Sequence, residues 1–384
     1  MKSKICIVSS GRADYGLLYW PMRRIQYASD LELQTVVTGM HLVAEYGLTV
    51  DWFVRDRFPV TKRIDMLLSN DSALAVTKSL GLAVLGFAEA YQELQPDMVL
   101  LLGDRFEILA AAQAALIARI PVVHLFGGDT TEGAFDEAIR HSITKMAHIH
   151  FVSNNVSARR IIQMGENPKN VHVVGSTGLD AIHETTLLDR DSFFEAIDFQ
   201  PLVVNLMVTY HPVTLGKVSS EVEFDQLLAA LEELGDKYGL IFSRPNADTD
   251  GKILNTMLDR FVELHTNAKA YDALGEHYLS ALNHVDAVVG NSSSGIYEAP
   301  SFGVGTVNIG DRQKGRLQAS SVINCFARKN EIVHAVKQAV NEDFSETVNP
   351  YGDGRASERI VEVLQTVREP HTLLQKHFFM FEGK

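Results

Sequence analysis

The stretch from His124 to His141, HLFGGDTTEGAFDEAIRH, gathers carboxylates at Asp129, Glu132, Asp136 and Glu137, two histidines, and glycines at Gly127, Gly128 and Gly133. Glycines let a backbone approach a ligand closely, and carboxylates sharing a cleft acquire pKa values suited to proton transfer near neutral pH. Part of this density has a plainer reading, because Glu137 and His141 stand four residues apart, as a surface helix pair would. Upstream, Gly103-Asp104-Arg105-Phe106-Glu107 sets another carboxylate beside a guanidinium, and Asp104 reads equally well as the cap of a helix running from Glu107 onward. Anion binding is the second chemistry on offer. In Gly290-Asn291-Ser292-Ser293-Ser294-Gly295-Ile296-Tyr297-Glu298, small hydroxylated residues open a helix. The unpaired N–H groups of its first turn attract phosphate, and Glu298, one turn in, could receive ribose hydroxyls. An ordinary serine cap is the alternative. Arg312, Lys314 and Arg316 follow the next strand-like run, and a diphosphate clamped there gains charge-assisted hydrogen bonds of roughly 1.5–3 kcal/mol each.

Such groups meet only if regular elements carry them to one place. Short β-branched runs (KICIVSS, LQTVVTG, DMVLLLG, PVVHLFG, IHFVS, VHVVG) alternate with helix-compatible segments over the first 175 residues, and the pattern restarts with VVNLMVTY, LIFSR, AKAYD, HVDAVVG and VGTVNIG. Continuous apolar strands separated by helices predict parallel sheets covered on both faces. The expected fold class is therefore α/β, with two Rossmann-like doubly wound domains over residues 1–180 and 181–384, the second including a C-terminal helical segment that packs on a domain. In open parallel sheets ligands sit at the carboxyl ends of the strands, which makes a cleft between two such domains the expected site. Every motif above follows a strand. So do Arg12 in SSGRADYG, where a helix is expected from near Leu17, His211 in TYHP and Asn246 in SRPNAD. Arg12 could clamp phosphate or merely pair with Asp14. SSGRADYG is neither a GxGxxG fingerprint nor a P-loop, because Leu17 and Leu18 follow Gly16 where lysine and a hydroxyl residue are required.

Composition narrows the function. Of 384 residues, 35 are lysine or arginine and 48 aspartate or glutamate, a net charge of −13 whose field repels nucleic acid and anionic membrane surfaces. Cys6 and Cys325 are too few for a disulfide framework and read as small buried hydrophobes. His148 and His150 alternate at a strand start with no further ligand nearby to complete a metal site. The amino terminus has no signal-peptide pattern, and no window reaches the roughly 18 uninterrupted apolar residues of a membrane helix, so a cytoplasmic location is expected.

The motifs GRADYG, LLGDRFE, GGDTTEGAFDEAIRHSITK, VTYHP, RPNADTDG and GNSSSGIYEAP followed by IGDRQKGR occur in this order along nearly the whole chain. Together they resemble the UDP-N-acetylglucosamine 2-epimerase family, in particular its hydrolysing branch that supplies sialic-acid-type sugars. The resemblance implies a GT-B-like pair of domains, with nucleotide on the second and sugar between them. It implies that Ser292, Ser293, Ser294, Gly295 and Glu298 hold the nucleotide, and that Arg12, Arg105, His141, His211, Asn246 and Arg312 line the uridine diphosphate or its sugar. Asp104 and Asp136 match acidic positions that serve catalysis, and His211 stabilises the departing diphosphate. The implied reaction expels UDP, leaves a 2-acetamidoglucal, and adds water to give a free manno-configured sugar. No cofactor is required, though a divalent ion could assist the diphosphate, and members are commonly homodimers or homotetramers.

One position departs from the family pattern. Many members read His-Ile-Glu-Gly-Gly after this strand, with the glutamate in acid-base work, whereas Phe126 stands here. A phenyl ring carries no proton, so Asp136, Asp104, Asp129 or Glu132 must cover the task, or the sugar differs. An apolar ring suits a 6-deoxy, 4-acetamido sugar and points toward UDP-N,N'-diacetylbacillosamine, on the route to legionaminic acid. The rival readings are a non-hydrolysing UDP-N-acetylglucosamine 2-epimerase, a GT-B glycosyltransferase, and a silent sugar-nucleotide sensor.

Overall fold

The computed structural model describes residues 2–68, 72–130, 136–212, 219–244, 251–272 and 274–380. Its strands are β1 Ser3–Ser9, β2 Leu31–Thr38, β3 Lys62–Ile64, β4 Met98–Leu102, β5 Val122–Leu125, β6 Ile149–Val152, β7 Val171–Val173, β8 Val204–Thr209, β9 Tyr238–Ser243, β10 Ala268–Tyr271, β11 Ala287–Gly290, β12 Gly305–Ile309 and β13 Val322–Cys325. The helices are α1 Arg12–Tyr27, α2 Val50–Arg55, α3 Ala73–Leu94, α4 Phe106–Ile117, α5 Asp136–Met146, α6 Asn155–Gln163, α7 Ala181–Glu184, α8 Arg190–Ala196, α9 Ser220–Leu234, α10 Gly251–Leu264, α11 Tyr278–His284, α12 Ser294–Tyr297, α13 Lys329–Asn341 and α14 Ala356–Thr366.

Two parallel sheets result, a seven-stranded one ordered β3-β2-β1-β4-β5-β6-β7 and a six-stranded one ordered β10-β9-β8-β11-β12-β13. This is the expected α/β class. Central strands are apolar on both faces because helices cover both: Ile5, Cys6, Ile7 and Val8 of β1 are all fully buried. Two edge strands lie outside the sequence expectation. β3 (KRI) is mostly polar, and β13 (VINC) is a partly exposed four-residue run interrupted by Asn324, so no long apolar run marks them. Cys6 is buried, and Cys325, on β13, is only partly so.

The domain boundaries need correction. The chain divides into Met1–His183 with Tyr351–Lys384, and Glu184–Pro350, so the C-terminal segment belongs to the first unit and not the second. Three interactions bring it back. The buried Asp180 carboxylate caps α14, accepting from the Ala356 and Ser357 amides at 2.8 Å each. Ile360, Val361 and Leu364 then join Leu18, Met22 and Ile25 of α1 in the core of the first unit. Finally Lys376 reaches the buried Glu166 at 2.7 Å, beside Lys145 at 2.5 Å and His150 at 3.0 Å. Burial works against this carboxylate's charge, but the three donors outweigh it and hold its pKa near 2. His150 is thereby a structural partner, as is His148, whose Nδ1 accepts from the Val122 amide at 3.0 Å.

Candidate active site

Each sheet reverses its strand order once, between β1 and β4 in the first and between β8 and β11 in the second. Crevices open at the carboxyl ends of such strand pairs, where the crossovers leave in opposite directions. In the first unit these ends deliver the Ser9-to-Arg12 turn and the Gly103-Asp104-Arg105 turn; in the second, Tyr210-His211 and the Asn291-to-Ser294 turn.

Arg12 opens α1, which begins five residues earlier than expected. The cause is Asp14: its carboxylate accepts from the Ser10 amide at 2.6 Å and the Gly11 amide at 2.7 Å, closing the first turn on itself. Burial raises the Asp14 pKa against those amide bonds. Asp14 is thus committed to the helix start, leaving the exposed Arg12 at its rim.

Asp104 does not cap α4, whose N-cap is Arg105 with no side-chain cap bond. Its carboxylate is instead ion-paired with Arg140 of α5, a residue the sequence reading passed over. Arg140 also donates to the Asp129 carbonyl at 2.7 Å, so one buried guanidinium ties the β4 turn to the glycine loop after β5. A second tie runs in parallel: His124 Nε2 donates to the Gly103 carbonyl at 2.8 Å, and its Nδ1 lies 3.2 Å from the Thr144 hydroxyl on α5. Burial pushes this imidazole down to about pH 3, with the Gly103 bond opposing, so it remains neutral. Arg105 forms a fork with the fully buried Glu107, at 2.9 and 3.2 Å. Burial opposes the Arg105 charge, but Glu107, joined by the fields of Asp14 and Asp136, raises its pKa. Asp136, the first residue of α5, is therefore in electrostatic reach of the β4 turn. His141 pairs with Glu137 at 3.6 Å, as the plain reading held, while its buried Nδ1 has no partner among the described residues.

The glycine loop is built to stay close to its neighbours. Gly128 sits at φ +78°, and a Cβ there would lie 2.4 Å from the Ser157 carbonyl oxygen of α6. The Asp129 carboxylate accepts from the Ser157 hydroxyl, and Arg160 donates to the Gly128 carbonyl at 3.0 Å. Phe126 adopts a left-handed φ of +64°, rare for a bulky side chain, and packs against the core of the first unit. Glu132 lies outside the described residues.

In the second unit Asn291 is a hub that the sequence reading left without a role. Its side chain accepts from the His211 amide at 2.7 Å and donates to the His211 carbonyl at 2.8 Å, joining the ends of β8 and β11. Its own carbonyl accepts from Arg312 at 3.1 Å and Gln313 at 2.8 Å. His211, Arg312 and the Ser292-to-Ser294 turn are thereby brought together. The helix that this turn opens is only four residues long, so the expected dipole contribution is small. Gly295 has a packing reason of its own, since a Cβ would meet the Thr306 methyl at 2.6 Å. Glu298 is held in a buried setting that raises its pKa to about 7 against the Ser294 hydroxyl and the Arg316 charge, and among the described residues its Oε2 has no partner. An orphaned buried carboxylate oxygen is the mark expected of a site awaiting hydroxyl donors. Asn246 lies outside the described residues; the nearby Arg244 is paired with Asp259 at 2.7 Å and Asp272 at 3.2 Å.

Comparison with known proteins shows which family the chain belongs to. The chain is 40% identical over 347 residues to the GDP/UDP-N,N'-diacetylbacillosamine 2-epimerase (hydrolyzing) of Campylobacter jejuni, covering 90% of this chain and 89% of that one. It is 37% identical over 377 residues to the UDP-N,N'-diacetylbacillosamine 2-epimerase (hydrolyzing) of Legionella pneumophila, covering 98% and 99%. Its fold matches the crystal structure of UDP-GlcNAc 2-epimerase from Neisseria meningitidis bound to UDP-GlcNAc, with a TM-score of 0.79 at 17% identity over 94% of this chain and 100% of that one. The model of one enzyme family matches residues 23–365, and on that extent of match the chain belongs to the UDP-N-acetylglucosamine 2-epimerase family.

Proposed function

We propose that the protein is a hydrolysing 2-epimerase that eliminates UDP from a UDP-2-acetamido sugar, UDP-N,N'-diacetylbacillosamine above UDP-N-acetylglucosamine, and releases the free manno-configured sugar. The observation that carries this reading is the pair of carboxylates, Asp104 and Asp136, held near one switch point while the second presents His211, Arg312 and Glu298, whose Oε2 has no partner among the described residues. Relatives named as hydrolysing enzymes on the diacetylbacillosamine nucleotide support the choice of branch.

Chemistry requires two acid-base groups. In the first half-reaction the C1–O bond breaks, its electron pair leaves with UDP, and the C2 proton passes to a carboxylate, giving the glucal. In the second, water supplies hydroxyl to C1 and a proton reaches C2 on the opposite face. A proton lost from one face and regained on the other cannot be served by one fixed carboxylate, so Asp104 and Asp136 divide the work. A carbon-bound proton is too weak an acid for either until UDP begins to depart; His211 and Arg312, by stabilising the charge on diphosphate, make that departure early. Arg12, Arg105 and His141 contact the sugar or diphosphate, and Ser292, Ser293, Ser294 and Gly295 cradle the phosphates, with Asn246 lining the same ligand. The sequence is redox-neutral and needs no electron-carrying cofactor. Phe126, where the family glutamate would stand, gives the sugar an apolar neighbour, which favours the 6-deoxy substrate.

Turnover of each UDP-sugar in deuterated water tests the reading. Free sugar carrying deuterium at C2 is expected, with the diacetylbacillosamine nucleotide consumed faster; a UDP-linked 2-epimer as final product would overturn it.

Glu298 gives a pH-dependent prediction. Its folded pKa of about 7 exceeds the ordinary 4.5, so the fold disfavours the ionised form. Its contribution to stability is complete below pH 4.5 and is lost as pH rises to 7, where the cost reaches about 3 kcal/mol at most. Glu298→Gln should therefore stabilise the free enzyme at pH 8, leave it unchanged at pH 4, and weaken UDP binding. Urea melts at both pH values and UDP titration calorimetry read this; unimpaired UDP affinity would remove Glu298 from the ribose site.

A further inference from the structure

Helix α5 carries Asp136, Arg140 and His141, yet little packing holds it. Of its 11 residues only Arg140, Ile143 and Thr144 are buried, and a helix this short is marginal in water without tertiary support. Arg140 ties it to Asp104 and the Asp129 carbonyl, and Thr144, one turn on, ties it to His124. Its C-terminal end is held by a residue from the far end of the chain. Lys376 Nζ donates to the Lys145 carbonyl at 2.9 Å and the Ala147 carbonyl at 2.6 Å, groups of the kind a helix end leaves unpaired, and to Glu166 at 2.7 Å. An ammonium has three N–H donors, so all three are used, and its charge complements the negative end of the helix dipole.

The tail that brings Lys376 there serves this contact more than apolar burial, since Phe378 and Met380 stay 66% and 74% exposed. The chain just past Lys376 is nonetheless fixed. The Phe379 amide donates to the Gly165 carbonyl at 2.9 Å, and the Phe378 ring approaches Gly165 so closely that a Cβ there would lie 2.4 Å from it. Lys145, in the last turn of α5, sets its ammonium 5.1 Å from the centre of the same ring. A helix transmits displacement as a rod, and at about 1.5 Å per residue Asp136 stands about 16 Å from Ala147. With the far end released, α5 can rock about the Arg140 tie, one turn from Asp136, and a catalytic group displaced by about 1 Å loses rate. We infer that Lys376 is a positioning residue for the reaction: by pinning the C-terminal end of α5 it fixes where Asp136 and Arg140 stand at the other end. This rests on the reading of Asp136 as a catalytic carboxylate.

Kinetics and amide hydrogen exchange on the full chain test it. Lys376→Met should lower kcat about tenfold while KM moves about twofold at most, because α5 shifts and most of the nucleotide residues do not. Glu166→Gln is the contrast. It removes a buried charge shared by His150, Lys145 and Lys376 and so costs stability, but it leaves the Lys376 ammonium on its two carbonyls, and kcat should stay near wild type. A tail that only stabilised the fold would leave kcat of the folded protein unchanged in both variants. Exchange over residues 136–141 should quicken about tenfold in Lys376→Met, with α13 of the other unit unaffected. If Lys376→Met fails to fold because Glu166 has lost a donor, Lys376→Met with Glu166→Gln removes that charge, and the same loss of kcat is expected. Wild-type kcat in a folded Lys376 variant, a Glu166→Gln as slow as Lys376→Met, or unaltered exchange over residues 136–141 would each overturn the inference. A wild-type protein that turns over no UDP-sugar would instead overturn the catalytic reading, and exchange would still decide whether Lys376 pins α5.

Discussion

Arg140→Met should lower turnover by at least about a hundredfold and destabilise the protein by about 2–4 kcal/mol. The Arg140 side chain is only 6% exposed and its partner Asp104 25% exposed, so removing the guanidinium strands a carboxylate in a half-buried place. Breaking a fully buried pair costs 3–5 kcal/mol, and the residual access of water to Asp104 brings the figure down. The rate effect has a separate origin. Arg140 bonds Asp104 and the Asp129 carbonyl at once. Losing it frees the β4 turn and the glycine loop to shift, and a displacement of about 1 Å at a catalytic group costs about a hundredfold. Arg140→Lys distinguishes the two effects: an ammonium keeps the charge but not the fork, so most of the stability should return while the rate does not. UDP affinity should fall much less than turnover in both variants, because most residues proposed for the nucleotide, from His211 to Arg312, lie in the other unit. The measurements are UDP release, urea unfolding and UDP calorimetry; wild-type kcat in Arg140→Met would show that Asp104 needs no such restraint.

Gly290→Ala should be worse still for folding, costing more than about 4 kcal/mol and abolishing UDP binding in whatever protein remains soluble. Gly290 ends β11 at φ +138°, a conformation L side chains rarely adopt. An added Cβ would lie 1.9 Å from the Thr209 carbonyl oxygen and 2.7 Å from its carbon. Both are backbone atoms of the adjoining strand and cannot yield without breaking the β8–β11 pairing. The same displacement would pull Asn291 off His211. Gly16→Ala is the matched control: Gly16 lies inside α1 with nothing within 4 Å of the missing Cβ, so alanine there should stabilise by roughly 0.5–1 kcal/mol. Equal thermal unfolding of the two variants would refute the steric account.

The elements that carry the site were legible because their signals are local. A buried parallel strand must be apolar on both faces, and runs such as DMVLLLG and HVDAVVG have no other comfortable place in water. The residues after those strands were therefore legible as candidates, and the structure places them at the carboxyl ends of the strands that form the two switch points. β3 and β13 were not, since an edge strand with one neighbour tolerates the polar KRI and the short, Asn324-interrupted VINC that hide it.

What sequence alone determined was the element type, the α/β class and the motif set. Which groups meet was decided by the tertiary structure. Asp104 looked like a helix cap because capping spans a few residues, whereas its actual partner stands 36 positions away on another helix. The C-terminal segment looked like an appendage of the second unit because it follows it in the chain; Asp180, Glu166 and the apolar face of α1 claim it for the first. The raised pKa of Glu298 depends on burial that no local pattern records. Apolar periodicity is a property of neighbours along the chain, but ion pairing, desolvation and close backbone approach are properties of neighbours in space, and only folding makes those.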